Sequence, residues 1–137
     1  MEIVFNLTSP SLEQYFNLFE TTGWNHDYQA TQEELFRAIS NSQYCVAAYN
    51  AEKLIGFGRI LTDGVLHAII FDLIVQPEFQ LQGIGTMILQ KLIEWCNENH
   101  IRDIQLFCAS GKQTFYEKNG FVIRPSDAPG MQFLKPN

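Results

Sequence analysis

Gly83-Ile84-Gly85 is the stretch of this chain whose residue types and spacing most directly point to chemistry. It follows the apolar run Leu73-Ile74-Val75 and leads into the helix-periodic run Ile84 to Cys96. The two glycines therefore fall where a strand gives way to a helix. A helix N-terminus offers unpaired N–H groups and a partial positive charge, and glycines there remove the Cβ atoms that would hold an anion off. Gln82, Gly83, Ile84, Gly85 and Thr86 can aim several amides at one phosphate or pyrophosphate. A tight strand-to-helix turn with no ligand explains an isolated G-x-G at least as well. Asp72 is a second candidate, a lone carboxylate in the apolar run Ala68 to Val75, where an unpaired charge is costly. It either has a structural partner, an amide or Arg59, or it stands at a reacting site. His67 is the other titratable candidate, but a single strand histidine is more often structural.

The common nucleotide fingerprints do not fit the loop. Ile88 occupies the third glycine position of a G-x-G-x-x-G pattern, and the strand before the loop follows an antiparallel hairpin. No G-x-x-x-x-G-K-[ST] occurs. Cys45, Cys96 and Cys108 form no CxxC pair and sit in apolar runs, which predicts reduced, buried thiols. His26, His67 and His100 are scattered without metal-ligand spacing, so no metal is expected.

The elements that must carry these residues can be read from the hydrophobic period. Ile3 to Leu7 reads as a strand. Ser9-Pro10 makes an N-cap and first helical position for a helix with Leu12, Tyr15, Phe16 and Phe19 on one face, stopped by Gly23. Thr31-Gln32-Glu33-Glu34 has capping-box form and opens a second helix that turns Leu35, Phe36 and Ile39 inward. Tyr44 to Tyr49, Leu54 to Leu61 and Val65 to Val75 then read as an antiparallel meander. Its second hairpin carries Asp63-Gly64, and a break or bulge falls near Asp72, where alternation fails. A widely apolar helix follows from Gly83. Asp103 to Cys108 is a strand expected to run parallel to its predecessor, because a helical crossover separates them. A short helix from Gln113 to Lys118 and two strands, Phe121 to Ile123 and Met131 to Leu134, complete the chain. The order β-α-α-β-β-β-α-β-α-β-β describes one α/β domain over residues 1–137, with a mixed, mostly antiparallel sheet flanked by helices.

Within that frame, Gln80-Leu81-Gln82-Gly83-Ile84-Gly85 resembles the Q/R-x-x-G-x-G/A motif of the GNAT superfamily of N-acetyltransferases. Leu73-Ile74-Val75-Gln76-Pro77 looks like that family's pantetheine-binding strand and its exit, and Phe115-Tyr116-Glu117-Lys118-Asn119-Gly120-Phe121 resembles its FYxxxGF motif. The element order is similar over nearly the whole length. The resemblance implies acetyl-CoA as the cosubstrate. Amides from Gln82 to Thr86, in the loop that Gln80 and Leu81 open, would hold the pyrophosphate. The strand Leu73, Ile74, Val75 would lie along the pantetheine arm, pairing through the backbone of Leu73 and Val75. The chain departs from many relatives in having no Lys or Arg between Gln76 and Thr86. Cofactor affinity would then rest on the amides and on Lys112 or Lys118.

The implied reaction is direct transfer of the acetyl group from acetyl-CoA to a primary amine of a small molecule or peptide. The alternative is a noncatalytic acyl-CoA-binding or regulatory module with the same fold. By resemblance, Tyr116 is the acid for the leaving thiolate, with a core aromatic role as its alternative. Asp72 is a base or ammonium anchor, or else a structural carboxylate. Some relatives place a glutamate earlier in this strand, where Ile69 and Ile70 stand here. Trp24, Asn25, His26 and Tyr28 lie in the loop that borders the acceptor site in similar proteins, and Trp24 and Tyr28 could enclose a substrate cation or simply pack. An acetylated Cys108 is disfavoured by its apolar setting.

The formal charge of −6 and pI near 4.9 argue against sequence-independent nucleic-acid binding and are compatible with a cationic substrate. The apolar runs fall short of membrane-spanning length and MEIVFNLTSP lacks a basic n-region, so a soluble, cytoplasmic chain without membrane association is expected. Monomer and homodimer are both compatible with the sequence.

Overall fold

Strand-period sequence in the first 107 residues assembles one five-stranded sheet in the order β1-β2-β3-β4-β5. The strands are β1 Ile3–Asn6, β2 Tyr44–Asn50, β3 Lys53–Thr62, β4 His67–Val75 and β5 Asp103–Leu106. The first four pair antiparallel, and β5 lies parallel to β4, as a helical crossover demands. The computed structural model describes residues 2–136, and the chain divides into two units, Met1–Phe107 and Cys108–Asn137.

Helices α1, Leu12–Glu20, and α3, Gln32–Ser40, cover one face of the sheet. Tyr15, Leu18, Phe19, Leu35 and Ile39 pack there against Cys45, Ala47, Leu54, Phe57 and Ile74. The expected capping box of α3 is present, with Thr31 and Glu34 satisfying each other's backbone N–H. The start of α1 differs from expectation. Ser11 is its N-cap, because the Ser11 Oγ accepts the Gln14 N–H, and Ser9-Pro10 lies outside the helix. Between them a short turn of helix, α2 Asn25–Tyr28, occupies what reads in the sequence as loop. The Asn25 side chain ties it down by bonding both the N–H and C=O of Ala30.

The opposite face is covered by α4, Ile84–Glu98. Gly56 and Gly58 let that helix approach closely: a Cβ on either would come within 2.9 Å of an Ile88 or Leu92 methyl group. Ile88, Leu89, Leu92 and Cys96 are fully buried, and Tyr44 stacks on Trp95 at 4.9 Å. This packing fixes the N-terminus of α4 against the sheet. The β3–β4 connection is wider than the tight two-residue hairpin that Asp63-Gly64 predicts. Asp63 Oδ1 accepts the N–H groups of Val65, Leu66 and His67, which holds a longer loop open.

In the second unit, α5 spans Gln113–Lys118 and ends at Asn119-Gly120, as expected. The two terminal strands expected at Phe121 to Ile123 and Met131 to Leu134 do not form. A strand needs a ladder partner, and residues 121–136 contribute to no ladder. Their segment is ordered locally by bonds from Ala128 N–H to Pro125 O and from Arg124 Nε to Ala128 O.

Candidate active site

After β4 the chain makes a 3₁₀ turn, Pro77–Phe79, and enters the loop Gln80 to Gly83. Leu81 and Gly83 both adopt left-handed backbone, with φ of 63° and 82°. Gly83 is the N-cap of α4, and the first bond of the helix runs from Met87 N–H to Gly83 O. No side chain caps this end and no acidic residue stands in the first turn, in contrast to α1 and α3. The N–H groups of Ile84, Gly85 and Thr86 thus have no partner within the helix. A Cβ built on Gly83 would meet no protein atom within 4 Å, so glycine is not required there for packing. It serves the positive φ and leaves open approach to the amides. Ile84 is buried and anchors the turn. Gln80 folds back, its Nε2 donating to Val75 O at 2.9 Å, and so pins the loop to the end of β4. The Leu81 and Gln82 side chains are exposed.

The strand beside this loop has an open edge. Pairing with β5 ends at Ile70↔Leu106, while β4 continues to Val75. Gln76 donates its N–H to Ile55 O on the β3 side. Strand alternation then turns the N–H groups of Leu73 and Val75 to the other edge, where β5 no longer reaches. The bulge expected near Asp72 is present: Phe57 faces Ile74 and Arg59 faces Phe71, so Gly58 alone opposes both Asp72 and Leu73. Asp72 takes up the bulge in left-handed backbone, φ 56°.

The Asp72 carboxylate is paired. Arg59 Nε donates to its Oδ2 at 2.6 Å, and both side chains are largely buried. Arg59 Nη1 also donates to Ala38 O and Ser42 Oγ, fastening the bulge to the end of α3, and its guanidinium lies over the Phe71 ring. Tyr15 comes up beneath this pair, a neighbour that its position on an apolar helix face did not signal. Its hydroxyl is buried beside the Asp72 carboxylate and, among the described residues, makes no hydrogen bond of ordinary geometry. Burial first, and the adjacent Asp72 carboxylate second, push its pKa far above the usual tyrosine value.

Removing that hydroxyl is expected to stabilise the protein. Tyr15→Phe should raise the unfolding free energy by about 1 kcal/mol, because an unsatisfied buried hydroxyl is lost without a cavity. It should also flatten the alkaline decline. Above pH 10 the unfolded tyrosine releases its proton while the folded one keeps it, so stability is full below pH 10 and falls as pH rises beyond it. Each such tyrosine contributes a slope of about 1.4 kcal/mol per pH unit. Urea titrations of both proteins from pH 7 to 11 check this, and a destabilised Tyr15→Phe would show that the hydroxyl has a partner.

Trp24 is half-buried, set edge-on to Phe19 against the core, whereas Tyr28 is 72% exposed. Tyr116 is buried, with Phe115 and Phe121 edge-on to its ring, and burial pushes its hydroxyl up to about 12. Cys45 and Cys96 are buried free thiols, but Cys108 is exposed, contrary to expectation, because β5 ends two residues before it. His67 is exposed and pairs with Asp103 at 3.2 Å, beside an open groove of about 660 Å³ lined by residues such as Leu61, Thr62, Ile69 and Gln105. That groove lies at the start of β4, the end away from the glycine loop.

The family model described as Acetyltransferase (GNAT) family matches residues 9–121. An uncharacterized N-acetyltransferase, ycf52, from Porphyra purpurea is 33% identical over 130 residues, covering 92% of this chain and 71% of that protein. The GNAT family acetyltransferase SP0256 from Streptococcus pneumoniae superposes with a TM-score of 0.80 at 26% identity, over 99% of this chain and 100% of that one. The PaiA N-acetyltransferase from Thermoplasma acidophilum, solved in complex with coenzyme A, shares the fold at a TM-score of 0.73 and 22% identity, over 90% of this chain and 92% of that one.

Proposed function

Because this chain belongs to the GNAT family of acetyltransferases, we propose that it transfers the acetyl group of acetyl-CoA directly to a primary amine of a small molecule or peptide. The observation that carries the coenzyme part is the uncapped N-terminus of α4, with open space over Gly83, beside the unpaired edge of β4. An anion fits the first feature and an extended amide-bearing chain fits the second. Acetyl-CoA has both chemistries, and when bound it supplies the acetyl thioester.

The chain's own residues divide the work. Amides from Gln82 to Thr86 bind and orient the pyrophosphate, and Leu73 and Val75 N–H groups hold the pantetheine amides in register. Gln80 keeps the loop closed on β4 through Val75 O. An acceptor amine reacts as the free base, and deprotonating a lysine-like ammonium at pH 7 costs about 4–5 kcal/mol. Tyr116 is the proton donor in this reading. With its pKa pushed up to about 12, its hydroxyl stays protonated throughout the neutral and moderately alkaline range. Asp72 serves the bulge through Arg59, and its part toward the ammonium is decided by the paired substitutions described in the Discussion.

Thiol release from acetyl-CoA over a panel of small amines and lysine peptides, with product mass recorded, tests the reading. Acetylated amine is the expected result. Coenzyme binding without acceleration of any amine would instead identify a noncatalytic acyl-CoA-binding module. Tyr116→Phe is expected to lower turnover by up to about 10²-fold while coenzyme affinity, read by calorimetry, stays nearly constant. Unchanged turnover would make Tyr116 a packing residue only.

A further inference from the structure

We propose that the open groove at the start of β4 holds the far end of the acceptor, and that this end carries a second ammonium group. The inference rests on the acetyl-transfer reading and adds a substrate class to it, a long diamine. Sheet register sets the floor of the groove. Leu61 faces Ile69, and Ile69 faces Gln105, across β3, β4 and β5, so the three side chains stand in one row on one face. Helices α1 and α3 pack that face around Cys45, Ala47 and Phe57. They leave the row half-buried beside about 660 Å³ of open space. Phe71, two residues on from Ile69 and also half-buried, continues this apolar lane toward Leu73. A pantetheine arm anchored by its pyrophosphate at α4 runs back along β4, so its thioester lies at the Leu73 end of the lane. The four residues from Ile69 to Leu73 span about 13 Å at the usual strand rise.

Hydrogen bonding and charge select the occupant. No lysine or arginine lines the groove. Gln105 Nε2 donates to Asp103 Oδ2 at 2.8 Å, which leaves Gln105 Oε1 as an acceptor. A neutral His67 that donates from Nδ1 to the same oxygen presents Nε2 as an acceptor too. Asp63 Oδ1 takes three backbone N–H groups, and its Oδ2 has no partner among the described residues. Gln43 is engaged at both ends, by the Thr62 N–H and by Asn41 O. Arg102, next in sequence to Asp103, donates to Val65 O rather than to the carboxylate. The free polar atoms are thus acceptors, with Asp63 and Asp103 supplying negative charge. An ammonium, with three donors and no acceptor, fits that set, whereas a carboxylate or phosphate does not. Residues 1–107 carry five Lys or Arg against thirteen Asp or Glu, so the wider field also favours a cation.

Thiol release and product mass on the full chain test the proposal with decamethylenediamine against aminodecanol, which has the same reach and a neutral far end. The diamine is expected to show a kcat/KM at least about tenfold higher, through a lower KM. Putrescine, too short to span the lane and the groove, should lack that advantage. Asp63→Asn combined with Asp103→Asn removes both charges and keeps the oxygen acceptors that hold the loop, His67 and Gln105. It should bring the diamine level with aminodecanol by raising the diamine's KM. Equal kcat/KM for the two long acceptors in the wild type overturns the groove assignment and leaves acetyl transfer standing. So does a diamine preference that the double variant retains or that putrescine shares, or a diamine left unmodified while other amines react. If no amine is acetylated, both the transfer reading and the diamine site are wrong.

Discussion

Gly83→Asp is expected to weaken coenzyme A binding at least tenfold, about 1.4 kcal/mol or more. The new carboxylate would stand at the positive end of α4, among the N–H groups that have no other partner, where it competes with and repels a bound phosphate. Gly83→Ala separates this from a packing defect. Its Cβ meets no protein atom within 4 Å, so the folded chain loses only what a side chain costs at φ 82°, about 1–2 kcal/mol. Any further loss in coenzyme affinity belongs to the ligand's own contact with that position. Calorimetric titration with coenzyme A and acetyl-CoA, alongside thermal unfolding, measures both. Equal affinity in wild type and Gly83→Asp would remove the loop from the binding site.

The second large effect is expected at Arg59. Arg59→Met strands the Asp72 carboxylate beside the buried Tyr15 hydroxyl and should cost about 2–4 kcal/mol, somewhat below the full penalty for a buried unpaired charge because Asp72 keeps some solvent access. Adding Asp72→Asn should recover much of that loss, since asparagine tolerates the left-handed backbone that this position requires. Recovery stays incomplete, because Arg59 also holds Ala38 O and Ser42 Oγ. Turnover in the double variant then decides what Asp72 does. If its charge serves only the bulge, stability and turnover return together. If it takes the amine proton or anchors the ammonium, stability returns and turnover does not. Urea unfolding and the thiol-release assay on the same preparations give both readings.

What the sequence made legible follows from how local each cause is. The capping box of α3 is closed by residues three apart, so Thr31 and Glu34 announce it. The glycine loop is legible because a demand for backbone amides and positive φ leaves glycines in the sequence. Nearby competition moved two boundaries: Ser11 took the cap from Ser9, and Asp63 gathered three amides and widened a tight turn. The bulge at Asp72 was visible as broken alternation, but its partners depend on sheet register and on a helix more than fifty residues earlier. Pairing with Arg59 could be named only as one option, and Tyr15, an ordinary helix-face aromatic, carried no signal. Cys108 reads as buried until the strand is seen to stop at Leu106. The terminal segments had the composition of strands, but strand formation depends on a partner that composition does not specify.

The proposed coenzyme site is a set of backbone amides, and amide resonances would report on it directly. Titrating the labelled protein with coenzyme A should shift the N–H signals of Leu73, Val75 and Gln82 through Thr86 more than any others in residues 1–107. If those signals stay in place while coenzyme binds, or if no binding occurs, the assignment of this loop and strand edge to acetyl-CoA is wrong.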